Sequence, residues 1–176
     1  KEITTRESLR RTTVVKEPLA TSTLTFNGFK EDWEKAETLE QLNKMICNCT
    51  KCVLHKGRNK FVFGSGNPNA KVIVIGEGPG AEEDKQGLPF VGRAGQLLTD
   101  ILKAIKFSRE EVYIGNIVKC RPPDNRTPLP AEMDTCLPYL KKQIELIQPK
   151  LILCLGLTAA KGFLKKKDSL TSLRGQ

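Results

Sequence analysis

The chain has 176 residues, 39% of them hydrophobic, enough for one substantial core and roughly one domain. Its 29 Lys and Arg against 20 Asp and Glu give a formal charge of +9, a balance that suits polyanionic partners such as nucleic acid. No stretch reaches the roughly 18 to 20 apolar residues of a membrane span, and the polar N-terminus lacks a secretory segment. The protein is therefore expected to be soluble and cytoplasmic, with six cysteines that bind metal or lie buried rather than form disulfides.

Residues 1–30 mix charge with Ser and Thr and show neither helical period nor alternation, which reads as a disordered tail or linker. A single domain is expected over residues 31–176. Trp33, Ala36, Leu39, Leu42 and Ile46 recur near helical spacing and predict one or two amphipathic helices leading into a cysteine cluster. Val72 to Ile75 is a short, continuous apolar run ending in glycine, as a parallel strand covered on both faces would be. Val112 to Val118 and Leu151 to Leu155 are two more such runs. Leu97, Leu98, Ile101, Leu102 and Ile105 share one helical face between the first two strands, and Leu137, Leu140, Ile144 and Ile147 do so between the last two.

The order β-α-β-α-β predicts a three-layer α/β/α sandwich with a central parallel sheet, whose ligands bind beyond the carboxyl ends of the strands. The loops to inspect begin at Gly76, Lys119 and Gly156. Ala159 to Leu164 starts another helix, and the sequence reaches Gln176 with no fourth strand visible, so a C-terminally truncated domain is expected.

Cys49 and Cys52 form a two-residue-spaced pair, and Cys120 and Cys136 follow with fifteen residues between them. Four thiolates at such positions hold zinc or a [4Fe–4S] cluster, and spacing does not choose between the two. Cys47 reads as a helix-end thiol and Cys154 as a buried strand thiol. His55, alone in a basic segment, reads as a surface residue or phosphate contact.

Gly76-Glu77-Gly78-Pro79-Gly80-Ala81 formally fits the G-x-G-x-x-G/A dinucleotide pattern. Glu82, Glu83 and Asp84 would repel the phosphates such a loop has to bind, and Gly87 and Pro89 prevent an immediate long helix. The better reading is a rigid turn, stiffened by Pro79, that brings amides and Glu77 close to a small neutral ligand. Phe90, in the loop before the next helix, either stacks on a flat base or plugs the core. Asn116, at the end of the second strand, either ties down a loop or presents its amide donor and acceptor to a ligand. The second role would match the O4 acceptor and N3–H donor of uracil and mismatch cytosine.

Taken together, Gly76 to Asp84, the run Pro89-Phe90-Val91-Gly92-Arg93-Ala94-Gly95-Gln96-Leu97-Leu98, the run Asn116-Ile117-Val118-Lys119-Cys120-Arg121-Pro122-Pro123 and the cysteine spacing resemble the fourth family of uracil-DNA glycosylases, the thermophile-type enzymes that carry a [4Fe–4S] cluster. The resemblance spans Cys49 to Gln176. It implies cluster ligation by Cys49, Cys52, Cys120 and Cys136, and a uracil pocket bordered by Glu77, Gly78 and Pro79, with Glu83 a further acidic pocket residue. Phe90 would stack on a flipped base and Asn116 would read its edge; Glu77 and Asn116 are the candidate catalytic residues. The implied partner is uracil-containing DNA, taken by a monomer, with phosphates gripped by Lys56, Arg58, Lys60, Lys119, Arg121 and Arg126.

One departure is the His-Pro-Ser-type loop that the family carries after its fourth strand, which has no counterpart here and for which His55 cannot substitute. It keeps alive a rival reading, a non-catalytic iron–sulfur protein that binds uracil-containing DNA. A zinc-stapled nucleotide-binding domain is a second rival.

Overall fold

The computed structural model describes residues 31–165 and Ser169; the tail expected over residues 1–30 therefore lies outside the described residues. The strands are β1 (Ser65–Gly66), β2 (Val72–Gly76), β3 (Tyr113–Asn116) and β4 (Leu151–Cys154). The helices are α1 (Leu39–Ile46), α2 (Ala81–Gln86), α3 (Arg93–Ala104), α4 (Pro130–Ile147) and α5 (Leu157–Leu164). The sheet order is β1-β3-β2-β4, with β2 parallel to both β3 and β4 and the short β1 antiparallel to β3. The sheet is thus mixed rather than wholly parallel, because a two-residue edge strand joins the three strands read from the sequence.

Alternation along the strands splits the core in two. Ile73, Ile75, Tyr113 and Ile117 face a cluster completed by Leu42 and Ile46 of α1 and Leu137 and Leu140 of α4. Val74, Val112 and Ile114 face Leu98 and Leu102 of α3. Helices therefore cover both faces of β2 and β3, which is why those strands read as unbroken apolar runs. β4 is an edge strand, and its Leu151 and Leu153 are exposed.

Local signals explain the helix boundaries. Thr38 caps α1 by accepting the Gln41 N–H at 3.1 Å. α4 opens with Pro130 at its first position, and Glu132 accepts the Leu129 N–H at 2.8 Å. The segment expected to hold one or two amphipathic helices gives a 3-10 turn at Asp32–Lys35 followed by α1. β3 is shorter than its apolar run: Ile117 and Val118 lie past the strand, where they donate to the Gly76 and Glu77 carbonyls at 2.9 and 3.2 Å. No helix among the described residues is long and apolar enough to cross a membrane.

Candidate active site

β2 and β3 end side by side, with Gly76 and Asn116 as register partners. By strand parity both belong to the α3 face, alongside Val74 and Ile114. A Cβ built on Gly76 would lie 2.5 Å from Asn116 Oδ1 and 2.5 and 2.6 Å from the Phe90 ring atoms Cζ and Cε2. The absent side chain of Gly76 is thus the place where the Asn116 carboxamide and the Phe90 ring meet. Asn116 is buried, and among the described residues its Oδ1 is the buried side-chain polar atom that has no hydrogen-bond partner. Such an orphan is costly unless a ligand completes it.

The Phe90 loop is held from several sides. Phe90 has φ of 53°, the left-handed region that a bulky residue adopts only under constraint. Glu83 Oε1 accepts the Val91 and Gly92 N–H groups at 2.9 and 2.8 Å, while its Oε2 accepts the Gly80 N–H at 3.1 Å. One carboxylate therefore joins the glycine turn to the Phe90 loop. Arg109 donates to the Pro89 carbonyl at 3.0 Å and to Thr99 Oγ1 at 3.3 Å. Gly95 presses on the loop from α3: a Cβ there would meet the Phe90 carbonyl oxygen at 1.8 Å.

Within the glycine turn, Pro79 is buried and Glu77 and Gly78 are half-buried. The Glu77 carboxylate makes no hydrogen bond or ion pair among the described residues, whereas its carbonyl is held by Val118. Asp84 is fully buried, accepting from the Asn59 backbone and side chain and from the Lys60 N–H. Sequence reasoning had no reason to bury this acid. A groove of about 460 Å³ lined by Phe90, Gln96, Thr99, Arg109 and Ile114 adjoins the cluster through Phe90.

Cys49, Cys52, Cys120 and Cys136 come from three separate stretches and line one small cavity of about 10 Å³, together with His55 and Tyr139. Arg58 donates to Cys120 Sγ at 3.2 Å and to the Cys49 and Cys47 carbonyls at 2.7 and 3.3 Å. The Tyr139 hydroxyl donates to Cys49 Sγ at 3.3 Å. Burial raises the Cys52 and Cys120 thiols and pushes Cys136 up to about 12. Donors aimed at sulfur favour the thiolate a metal needs, so this donor set fits a thiolate-ligated group. Among the described residues no three or more His, Cys, Asp or Glu are grouped so as to hold a single metal ion.

Cys47 lies outside this cavity lining, at the C-cap of α1, with its thiol on the Lys44 carbonyl. Cys154 is half-buried rather than buried, because β4 is an edge. His55 is not a plain surface residue: it lines the cysteine cavity and its Nδ1 lies 2.7 Å from the Cys52 carbonyl.

Three expected phosphate contacts are corrected. Arg58 turns inward to the cysteine loop, and Lys119 is wholly buried, its amine pulled down to about 8 by burial. Arg126 forms a two-pronged pair with the buried Glu132, at 2.9 and 2.7 Å. Lys56 and Lys60 are exposed and Arg121 is half-buried.

A family profile described as the Uracil DNA glycosylase superfamily matches residues 63–175. The chain is 49% identical over 144 residues to the type-4 uracil-DNA glycosylase of Thermotoga maritima, covering 81% of this chain and 75% of that protein. It is 46% identical over 142 residues to the type-4 uracil-DNA glycosylase of Pyrobaculum aerophilum, covering 78% and 72%. The type-5 uracil-DNA glycosylase of the same organism is only 33% identical over 122 residues, covering 61% and 54%. The turn at Gly76, the Phe90 loop and Asn116 all fall inside the matched region, and the chain belongs to the uracil-DNA glycosylase superfamily, on its type-4 side.

Proposed function

We propose that the chain hydrolyses the N-glycosidic bond of uracil in DNA, with Phe90 stacking on the extruded base, Asn116 reading its edge, and Cys49, Cys52, Cys120 and Cys136 holding a [4Fe–4S] cluster. The observation that carries this reading is the buried, unpartnered Asn116 Oδ1 standing beside the Phe90 ring over Gly76. An acceptor in that position takes the N3–H of uracil, and the amide of the same side chain donates to O4. Cytosine reverses both groups and leaves the buried acceptor facing another acceptor.

Extruding a nucleotide costs a few kcal/mol of stacking and pairing, which the aromatic contact and edge hydrogen bonds offset. In the reaction, water oxygen bonds to C1′ of the sugar, the C1′–N1 bond breaks with its electron pair going to uracil, and a proton returns to the base. Asn116 and the turn amides stabilise the negative charge on the departing uracil, the larger contribution. The unpaired Glu77 carboxylate orients the water. Glu83 and Pro79 act on the pocket by fixing its loops, since the Glu83 oxygens are already taken by backbone amides.

Held by Cys49, Cys52, Cys120 and Cys136, a cluster would cross-link the loop after α1, the stretch after β3, and α4. Four cysteine sulfurs lining a single cavity match the four thiolate ligands that such a cluster takes. Lys56, Lys60 and Arg121 remain as phosphate contacts, and the protein acts as a cytoplasmic monomer.

The test is release of free uracil from a uracil-containing oligonucleotide by anaerobically purified, yellow-brown protein, compared with Asn116→Ala and Phe90→Ala. Release that both variants abolish supports the assignment. Tight binding of the oligonucleotide with no release would replace it with the non-catalytic reading, and colourless, zinc-loaded protein would remove the cluster.

A further inference from the structure

The peptide unit after Asn116 is pinned at both ends. Its N–H, on Ile117, donates to the Gly76 carbonyl at 2.9 Å, and its C=O, on Asn116, accepts from Lys119 Nζ at 3.0 Å. A planar peptide tied at both polar groups cannot rotate, which fixes ψ of Asn116 and so the direction in which its side chain leaves the strand. Lys119 is itself anchored, donating to Gln143 Oε1 at 2.6 Å, and Gln143 Nε2 donates to the Phe63 carbonyl at 2.9 Å and the Tyr113 hydroxyl at 3.0 Å. Lys119 and Gln143 are both fully buried, and Lys119 forms no ion pair among the described residues. An amine placed there is expensive in desolvation, and a hydrocarbon of similar volume would fill the core more favourably.

We infer that Lys119, braced by Gln143, is a positioning residue that sets the orientation of Asn116 and thereby the preference for uracil over cytosine. The inference rests on Asn116 being the edge-reading side chain. Lys119 never touches the base. It acts on the backbone of the residue that does, from the core side of the sheet, while the Gly76 carbonyl holds the other half of the same peptide.

The test uses the full chain in a double-mutant cycle of Lys119→Met with Asn116→Ala. The readouts are affinity for single-stranded oligonucleotides carrying one uracil or one cytosine, the rate of uracil release, melting temperature and iron content. Lys119→Met should lower the uracil preference and the release rate about tenfold, with iron content and affinity for uracil-free DNA unchanged. Lys119→Gln, which keeps a donor on a shorter stem, should lose less. In the Asn116→Ala background, Lys119→Met should add less than about twofold, since coupled residues are non-additive.

Losses that multiply in that background would mean Lys119 is merely structural and overturn the inference, as would a Lys119→Met protein with unchanged preference. Should Lys119→Met fail to fold, Lys119→Gln carries the same cycle. An Asn116→Ala protein equal to the parent in preference would instead overturn the reading of Asn116, and this inference with it.

Discussion

Replacing Gly76 with alanine isolates the geometry on which the pocket rests. Gly76 is not among the glycines with positive φ, so an alanine backbone fits and the whole effect comes from the added methyl. That methyl would sit 2.5 Å from Asn116 Oδ1 and 2.5 and 2.6 Å from two Phe90 ring atoms. Ordinary carbon contacts lie at about 3.5 to 4.0 Å, so the ring and the amide must retreat by about 1 Å. Neither retreats easily, because Glu83 and Arg109 grip the residues flanking Phe90 and Gly95 is pressed against its carbonyl.

Misplacing reacting groups by about 1 Å costs about 100-fold in rate, and overpacking costs about 1–3 kcal/mol in stability. Gly76→Ala should therefore remain folded with a lowered melting temperature and release uracil about 100-fold more slowly than the parent. Gly57→Ala, where a Cβ would meet nothing within 4 Å, is the matched control and should behave as the parent. A Gly76→Ala protein that releases uracil within about threefold of the parent would refute the claim that Asn116 and Phe90 close on one small volume.

Glu83→Ala leaves three backbone amides without their acceptor, so hydrogen exchange at Val91 and Gly92 should quicken and stability fall by about 2 kcal/mol, with Glu83→Gln in between; unchanged exchange would show that the loop does not depend on this carboxylate. Arg126 beside Glu132 holds that carboxyl below the usual glutamate range. The group is thus ionised more readily when folded, and its contribution is present above the unfolded pKa of about 4.3 and lost as pH falls through the depressed folded value. Glu132→Gln should be less stable than the parent at pH 7, with the gap closing as acid protonates the folded carboxyl; a gap of unchanged size across acid melts contradicts this. If the four cysteines hold the proposed cluster, the parent should carry about four iron atoms per chain, Cys136→Ser should lose them with the yellow-brown colour, and Cys154→Ser, on the edge strand, should keep both.

Much of the architecture could be read from the residues because its helices and strands obey simple periods. Val72 to Ile75 is apolar throughout because α3 covers Val74 and α4 and α1 cover Ile73 and Ile75. β1 and α2 escaped notice for a physical reason: two residues and six residues are too short to show a period, and Gly80, Gly87 and Pro89 crowd the second. In the site, Phe90 and Asn116 were named from their loops, although whether the ring plugged the core or faced a ligand stayed open. Their proximity over Gly76 is tertiary and no spacing encodes it.

Charge misled at Arg58 and Lys119, which sequence reasoning assigned to phosphates and which the fold turns inward. Lys119 did carry a signal, since it interrupts Ile117, Val118 and Cys120, an otherwise apolar stretch. Gln143 carried another, lying three residues after Leu140 and four before Ile147 on the inward stripe of α4.

The shared carboxylate of Glu83 bears on selectivity. Because one side chain tethers both walls, neither wall can swing outward without dragging the other, and the gap between them keeps a fixed gauge. If the proposed base pocket lies between these walls, their common tether would make shape, rather than yielding of the loops, the first filter on what enters.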